Sequence, residues 1–486
     1  MITLVDVVVV IVYLAIMVVI GLIASKRIKH KDDYVLAGKR MGYSVTIGTL
    51  VATMIGTAAT MGTAAMGYEY GMILVWQAIA IFVGYIIVGM LAKKIRKTGK
   101  WYIPDIMAER YGESAKVFTT IILAIAVTAI FGAQIIAMGL IFNLVGNSLG
   151  ISYTTAIVIV GVILVLYTFI GGMIAVAYTD FIQLIIILVL FVLVLPIYVF
   201  TDGITFSDLR QTVDPEMWSV WSGLPFLFVV GIIATYLPGI IIDQTIWQRV
   251  MASKDEKVAK FSSFISGGIF LFYSIVILLL GITASVIIPQ LTNKDEAIPQ
   301  LIISYLPNGL IGLGLVAILA VAMSTASSTL LIAGVVITKD VIPAVMKKSL
   351  SYEQDLKASR IVTLILGAAG IVIALTFSGL FGLMMLAYAI FTATLFFPII
   401  FALFWEKATK KGAFWSIIIS SIILIVLYGL DKPLDVEPIL PAIIINLGLM
   451  WIISLLTYQK DTATKPVFRD ERKEKELERN IQAKMK

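Results

Sequence analysis

The sequence of 486 residues contains no cysteine and only one histidine. The missing cysteine excludes disulfide bonds and cysteine-ligated zinc sites. The lone histidine, His30, lies in a short basic segment, which argues against an enzyme that uses histidine within a membrane. Charge is also scarce, since 14% of the residues are charged, against roughly 25% in a soluble domain. These scarcities exclude an ordinary soluble protein.

Long apolar runs take up most of the chain instead. Hydrophobic residues make up 60% of it, and roughly 20 apolar residues in a helix suffice to span a bilayer. We therefore expect an all-α polytopic membrane protein, embedded in a lipid bilayer, with about thirteen transmembrane helices. The first run is too long for a signal peptide and lacks a cleavage site, so we expect it to be retained. The predicted segments are 4–24, 44–66, 72–92, 117–146, 152–172, 179–200, 223–243, 261–288, 309–338, 361–378, 381–404, 413–430 and 438–457.

The distribution of Lys and Arg predicts the orientation of the chain. Six of them follow the first apolar run, which places that segment in the cytoplasm and the N-terminus outside. Thirteen spans then put 34 of the 37 Lys and Arg residues, and the C-terminus, on the cytoplasmic side. The formal charge of +7 is thus a positive-inside bias of a multi-pass cell-membrane protein, and we expect no nucleic-acid partner. No Lys or Arg is expected deep within a span.

The second apolar segment, in the stretch 44–71, is rich in threonine and glycine and has no charge before Glu69. Glycine lets a backbone leave helical geometry, and the carbonyl oxygens that this frees need a protein partner or a cation. Close packing of small residues, with threonines bonded to their own helix, is the alternative. For this stretch alone both interpretations stay open.

A weak internal repeat links segments two to six with segments seven to eleven, in opposite orientations. The first helix of each half carries helix-interrupting residues, Gly56 and Gly62 in one and Pro238-Gly239 in the other. Paired interruptions of this kind are typical of inverted-repeat transporters with a site at the membrane midplane. The expected divisions are an extra helix and loop at 1–43, five-helix repeats at 44–200 and 201–404, two further helices at 405–457 and a charged tail at 458–486.

Five hydroxyl side chains crowd the ninth apolar segment. They are Ser324, Thr325, Ser327, Ser328 and Thr329. Burying hydroxyls without partners costs about 1–3 kcal/mol each, although serine and threonine in a helix offset part of this by bonding to the preceding turn. Hydroxyl and carbonyl oxygens suit a small monovalent cation. Together with the interrupted stretch, this cluster favours a sodium site.

Several motifs make the sequence similar to a known family. It resembles the sodium:solute symporter family, which includes sodium-coupled sugar, proline, pantothenate, sialic acid and choline transporters, from about residue 4 to residue 458. The resemblance implies a LeuT-type fold with a 5+5 inverted repeat, alternating access and Na+ as the coupling ion. We expect no organic cofactor and a functional monomer. The motifs are DDYVLAGKR (32–40), IPDIMAERYG (103–112), YTFIGGMIAVAYTDFIQ (167–183), DQTIWQR (243–249), AMSTASS (322–328) and FWEKATKKGA (404–413).

The same resemblance implies which residues bind sodium. The first site would use the carbonyls of Ala52, Ile55 and Val321 and the hydroxyls of Ser324 and Thr325. Some members hold a second sodium ion, for which this chain offers Asp180, Ser324, Ser327 and Ser328. Met54 stands where proline-transporting relatives carry an aspartate, and this departure argues against a proline-type solute.

Polar residues within apolar spans are the expected solute contacts. They are Thr53, Thr57, Gln77, Gln134 and Tyr236. Gln77 matches a glutamine of sialic-acid-type relatives, but Ala133-Gln134 stand where those relatives carry an arginine. Asp180 is expected at the cytoplasmic start of a helix, and Asp243 at the start of a loop that carries Arg249.

These observations predict sodium-coupled symport of a small organic solute into the cell. Proton-coupled or uncoupled transport is the alternative, disfavoured because the titratable Asp180 and Glu69 are expected near the ends of spans. A membrane sensor is disfavoured by a tail too short for an output domain, and an intramembrane enzyme by the lack of carboxylate pairs within spans. Sugars, amino acids, pantothenate, monocarboxylates and quaternary amines all remain open as solutes.

Overall fold

The computed structural model describes most of the chain, and the regular secondary structure of the described residues is helical, apart from one isolated bridge between Met41 and Ser253. The described residues are 3–25, 36–100, 102–146, 152–170, 173–221, 223–343, 352–377, 379–430, 436–459 and 465–468. The α-helices are α1 Leu4–Ser25, α2 Tyr43–Met54, α3 Thr63–Tyr70, α4 Val75–Lys97, α5 Ile103–Tyr111, α6 Glu113–Gly146, α7 Tyr153–Ile170, α8 Met173–Leu188, α9 Leu195–Tyr198, α10 Phe206–Thr212, α11 Phe226–Ile241, α12 Gln244–Ala252, α13 Glu256–Ile287, α14 Ala297–Tyr305, α15 Leu310–Val336, α16 Tyr352–Thr376, α17 Leu380–Phe404, α18 Lys410–Gly429 and α19 Ile439–Thr457.

The apolar helices confirm the expected membrane architecture. Within the described ranges, ten helical stretches are long and apolar enough to cross a membrane, and three shorter apolar helices accompany them. Together they account for the thirteen predicted segments. The second segment corresponds to α2 with α3 and the third to α4, because Gly71, with φ 71°, ends α3.

Helix packing divides the core into two groups. One group contains the broken pairs α2/α3 and α11/α12 together with α4 and α13, and the other contains α6, α7, α15 and α16. If each broken pair is counted as one helix, each group contains two helices from each of the expected repeats. Helix α8 packs against both α2 and α15, while α17 contacts α6 and α11. The first helix, α1, lies against α8 and α15.

Small residues let α3 approach α13 closely. A Cβ atom added at Gly281 would lie 2.2 Å from the carbonyl oxygen of Ala64, and one at Gly67 would lie 2.8 Å from that of Leu278. Such backbone approaches are typical of packed membrane helices. The packing interpretation of the glycine-rich stretch therefore holds for its second half.

Only one of the residues predicted to interrupt the helices, Gly56, lies at an observed break. The first break lies at Ile55–Gly56, whereas Gly62 belongs to a continuous π-helical turn, Ala58–Gly62. In the second half, α11 continues through Pro238, and the break lies at Ile242–Asp243. The Asp243 carboxylate accepts bonds from the backbone N–H groups of Thr245 (2.7 Å) and Ile246 (3.1 Å), so it starts α12 there.

Candidate functional site

The break in α2 frees two backbone carbonyls in the middle of the protein. In a continuous helix the Gly56 N–H would bond to the Ala52 carbonyl, and the Thr57 N–H to the Thr53 carbonyl. Here the Gly56 N–H donates to the Met54 carbonyl (2.9 Å) and the Thr57 N–H to Oε1 of Gln134 (3.0 Å). The carbonyls of Ala52 and Thr53 thus lose their helical partners.

Helix α15 supplies hydroxyls to both freed carbonyls. Ser324 Oγ donates to the Ala52 carbonyl (2.9 Å) and lies 3.0 Å from the carbonyl of Val321. Thr325 Oγ1 donates to the Thr53 carbonyl (3.1 Å). All of these residues are buried, and so is Ile55 at the break itself. The structure therefore brings Ser324 together with the carbonyls of Ala52 and Val321 from the first predicted sodium set. Thr325, also in that set, contacts the carbonyl of Thr53, which the set did not include.

The other hydroxyls of α15 behave differently from one another. Ser327 bonds back to the Ser324 carbonyl (3.2 Å), and Thr329 to the Thr325 carbonyl (2.8 Å). Ser328 instead lies 3.4 Å from Thr53 Oγ1 on α2, on the side that faces Asp180. Two of the five hydroxyls, those of Ser327 and Thr329, thus bond only within their own helix.

The Asp180 carboxylate is fully buried among hydroxyl groups and a guanidinium. Thr49 Oγ1 donates to its Oδ2 atom (2.7 Å), and Thr53 Oγ1 lies 3.4 Å from the same atom. Nη2 of Arg249 is 3.5 Å from it. Oδ1 of Asp180 has no hydrogen-bond partner among the described residues.

Arg249 corrects two expectations about charge. It lies on helix α12 rather than in a loop, its side chain is 1% exposed, and it belongs to a membrane-spanning stretch. Asp180 likewise lies seven residues into α8, not at its start. Hydropathy along the sequence predicts that a charge lies at the end of a span. It misses Arg249 because the polar partners that surround this side chain come from helices distant in sequence.

A cavity begins at the break and is the natural place for a solute. Of the predicted contacts, Thr53, Gln77 and Tyr236 line it, and the buried hydroxyl of Tyr236 contacts the Gln77 side chain without making a well-formed hydrogen bond. Thr57 and Gln134 are instead bonded to each other, Thr57 Oγ1 to Gln134 Oε1 at 2.9 Å. Met54, which stands where proline-transporting relatives carry an aspartate, also lines it. So do residues that the sequence did not single out: Thr245, Phe270, Met384, Tyr388 and Phe391.

The cavity wall carries aromatic rings and no basic side chain among its described lining residues. The ring centroids of Tyr236 and Tyr388 are 5.3 Å apart, and those of Tyr388 and Phe391 are 5.2 Å apart. Asp243 also reaches the wall, but one of its oxygens caps α12. This geometry suits a solute with apolar surface and without a net negative charge.

Solved structures with the same architecture are sodium-coupled and related transporters. A Na+-coupled sialic acid symporter in a substrate-bound, outward-open state matches 93% of this chain and 98% of its own, with a TM-score of 0.77 and 20% identity. Mhp1, a nucleobase-cation-symport-1 family transporter, matches 91% of this chain and 98% of its own at a TM-score of 0.59 and 15% identity. This similarity confirms the predicted LeuT-type fold.

Curated relatives align over nearly the whole chain. The high-affinity proline transporter PutP of Bacillus subtilis is 28% identical over 93% of this chain and 98% of its own length. The sodium/pantothenate symporter of Escherichia coli is 26% identical over 86% of this chain and 88% of its own. The sodium:solute symporter family matches residues 34–420. The chain therefore belongs to the sodium:solute symporter family, and it is a multi-pass membrane transporter, not an enzyme, that couples movement of a small organic solute to Na+.

Proposed function

We propose that the coupling sodium ion binds where the break in α2 meets α15. Its ligands are the carbonyls of Ala52, Ile55 and Val321 and the hydroxyls of Ser324 and Thr325. The observation that supports this most strongly is that the α15 hydroxyls already bond the two carbonyls freed by the break. A hydroxyl that donates its hydrogen to a carbonyl still has lone pairs, so a small turn of each group offers sodium an oxygen cage.

The solute occupies the adjacent cavity and enters the cell by alternating access. Thr53, Gln77 and Tyr236 contact it there, while Thr57 and Gln134 hold the break in place through their mutual hydrogen bond. The protein works in the cell membrane as a monomer, with its N-terminus outside and its C-terminus in the cytoplasm. It needs no organic cofactor and no nucleic-acid partner.

The solute itself is neutral or zwitterionic. This rests on the cavity wall, which is rich in aromatic rings and has no described basic residue to pair with a lone anionic group. Two of the relatives are named as a proline transporter and a pantothenate symporter, and pantothenate is an anion. The cavity therefore favours an amino acid or a similar zwitterion over a carboxylate.

Replacing both sodium-binding hydroxyls tests the site. A ligand that binds only the folded state stabilises it by about 1.4 kcal/mol at ten times its dissociation constant. We expect sodium chloride to raise the thermal midpoint of the purified protein above its value in potassium chloride, and Ser324→Ala with Thr325→Ala to abolish that difference. Thr338→Ala is the matched control, because Thr338 Oγ1 bonds only to carbonyls one turn earlier in its own helical stretch. Sodium-dependent stabilisation that survives the double substitution would refute this site.

A panel of solutes tests the substrate class and the coupling ion together. Proline, leucine, glycine betaine, glucose, pantothenate, lactate and choline are each added to the protein in sodium chloride and in potassium chloride. We expect a zwitterion to raise the midpoint only when sodium is present. Equal stabilisation in both salts would instead support the proton-coupled or uncoupled alternative, and a response to pantothenate alone would contradict the predicted charge of the solute.

A further inference from the structure

A single guanidinium ties α12 to three other helices inside the membrane. Nη2 of Arg249 bonds Thr53 Oγ1 (2.5 Å) on α2 and Ser328 Oγ (2.8 Å) on α15. Nε bonds Thr49 Oγ1 (2.9 Å), and Nη2 lies 3.5 Å from the carboxylate of Asp180 on α8. We call Thr49, Thr53, Asp180, Arg249 and Ser328 the Arg249 cluster.

The Arg249 cluster shares oxygen atoms with the second predicted sodium set. Asp180 and Ser328 belong to both, and Ser327 lies one residue from Ser328 on the same turn of α15. Oδ1 of Asp180 is buried and has no hydrogen-bond partner among the described residues, so the carboxylate has an oxygen to spare for a cation. The Asp180 carboxylate, which would attract a second sodium ion, thus already lies beside the guanidinium of Arg249.

Two cations cannot share this pocket at low cost. Asp180 is the carboxylate beside the guanidinium, whereas the buried Asp243, which also interacts with Arg249, accepts the N–H groups that start α12. A sodium ion at Asp180 would therefore place two cations on one carboxylate in a buried site, where their repulsion is poorly screened. Arg249 is itself covalently held on α12, so it can leave the cluster only if α12 moves or its side chain swings away.

We propose that the Arg249 guanidinium and a second sodium ion compete for Asp180 and Ser328, so that sodium binding there releases α12 from α2, α8 and α15. This inference rests on the proposed function and extends it to the cytoplasmic half of the second broken helix. Thr245, on the first turn of α12, lines the solute cavity. Release of α12 therefore opens the cavity wall on that side.

Removing the guanidinium tests the competition directly. The purified protein, without solute, is titrated with sodium, and both bound radioactive sodium and the thermal midpoint are measured. We expect Arg249→Gln to need about tenfold less sodium than the parent protein for half-saturation of the second site. Adding Asp180→Asn to Arg249→Gln should remove the gain.

Two control variants separate competition from a mere loosening of α12. Nη1 of Arg96 donates to the carbonyls of Val250, Met251 and Ser253 at the end of α12, so Arg96→Gln loosens the same helix without freeing a carboxylate. We expect Arg96→Gln to leave the sodium titration unchanged. Arg249→Lys keeps the positive charge and should need as much sodium for half-saturation as the parent protein does.

A cysteine reporter gives a second readout. Because the chain has no cysteine, Thr329→Cys on the cavity wall is the single thiol in the protein. We expect a thiol reagent to label it faster in sodium than in potassium, and fast in both salts when Arg249→Gln is present. An Arg249→Gln protein that binds sodium as the parent does, or more weakly, would overturn the proposal. The first site is judged separately, by the Ser324 and Thr325 substitutions in the parent protein.

Discussion

Two buried tyrosines near the broken helix differ in what their hydroxyls contact. Tyr273 Oη lies 2.7 Å from Thr60 Oγ1, and both side chains are fully buried. Tyr236 is 3% exposed, lines the cavity, and its hydroxyl contacts the Gln77 side chain without making a well-formed hydrogen bond. Burying a hydroxyl without a partner is costly. Tyr236 therefore bears a cost in the solute-free protein that a solute hydrogen bond would remove.

The two tyrosines predict opposite outcomes for the same chemical change. Tyr236→Phe should leave thermal stability unchanged or slightly higher, while weakening solute binding by roughly tenfold, since one hydrogen bond is worth about 0.5–1.5 kcal/mol. Tyr273→Phe should lower stability by about 1 kcal/mol. Thermal midpoints with and without solute measure both effects. If Tyr236→Phe lowers stability yet binds solute normally, Tyr236 is a packing residue.

Individual site residues were predictable from the sequence only where their chemistry is local. The glycine at the break and the hydroxyls of Ser324 and Thr325 stand out because polar and flexible residues are rare within apolar spans. The pairing of Gln134 with Thr57 could not be foreseen, because it joins helices 77 residues apart in the chain. A polar residue within an apolar span indicates that it belongs to a site, but it does not show which residue it contacts.

On the scale of elements, the short helix α5 is held by charge. Asp105 on α5 pairs with Lys116 on α6 (2.9 Å) and with Lys339 beyond the end of α15 (2.6 Å). Lys116 also pairs with Asp340 (3.0 Å), which accepts a bond from Tyr102 (2.5 Å). Burial alone would raise the pKa of Asp105, but the ammonium groups of Lys339 and Lys116 outweigh it and hold that pKa below its usual value.

This network predicts a pH dependence of stability. A carboxyl whose pKa is lowered by folding stabilises the protein fully above its unfolded pKa, near 4, and the contribution is lost as the pH falls through the folded pKa. We expect Asp105→Asn to cost about 1 kcal/mol at pH 7, since the pair is partly exposed, and the difference from the parent protein to shrink below about pH 4.

Thermal midpoints measured from pH 7 down to pH 3 check this dependence. Glu109 on α5 pairs with Lys100, which precedes that helix, but it is 42% exposed, so Glu109→Gln serves as the control. Exposed pairs of that kind contribute little, and we expect Glu109→Gln to change stability by less than about 0.5 kcal/mol at any pH in this range. A pH-independent effect of Asp105→Asn would show that packing, not charge, accounts for the loss.

Element boundaries were harder to predict than element number. Pro238-Gly239 suggested an interruption, yet a proline can sit within a membrane helix, and the chain breaks where Asp243 can cap a new one. Arg249 follows that cap, and hydropathy assigned it to a loop. Its burial depends on Thr49, Thr53 and Ser328, which only the packing of four helices brings together.

For the whole molecule, the number of spans and the distribution of positive charge predict which loops face outward. Residues 201–222 lie on the predicted outer side and residues 405–412 on the predicted cytoplasmic side. Asp202 and Lys407 are both exposed in the structure. Their accessibility from either side of the membrane therefore reports the orientation of the chain.

Single cysteines at these two positions test the orientation. In intact cells a membrane-impermeant thiol reagent should label Asp202→Cys but not Lys407→Cys, and after the membrane is opened it should label both. The parent chain gives no background because it has no cysteine. Labelling of Lys407→Cys alone in intact cells would invert the topology and the direction proposed for transport.

The hydrogen bonds across the break in α2 also bear on how tightly sodium is held. The Ser324 hydroxyl already donates to the Ala52 carbonyl, so an ion at the proposed site shares that oxygen with an existing hydrogen bond. Sodium would therefore meet oxygens whose charge is partly balanced beforehand, and we expect it to be held more loosely than in a cage of unbonded carbonyls. Loose binding of this kind suits an ion that must be released in each transport cycle.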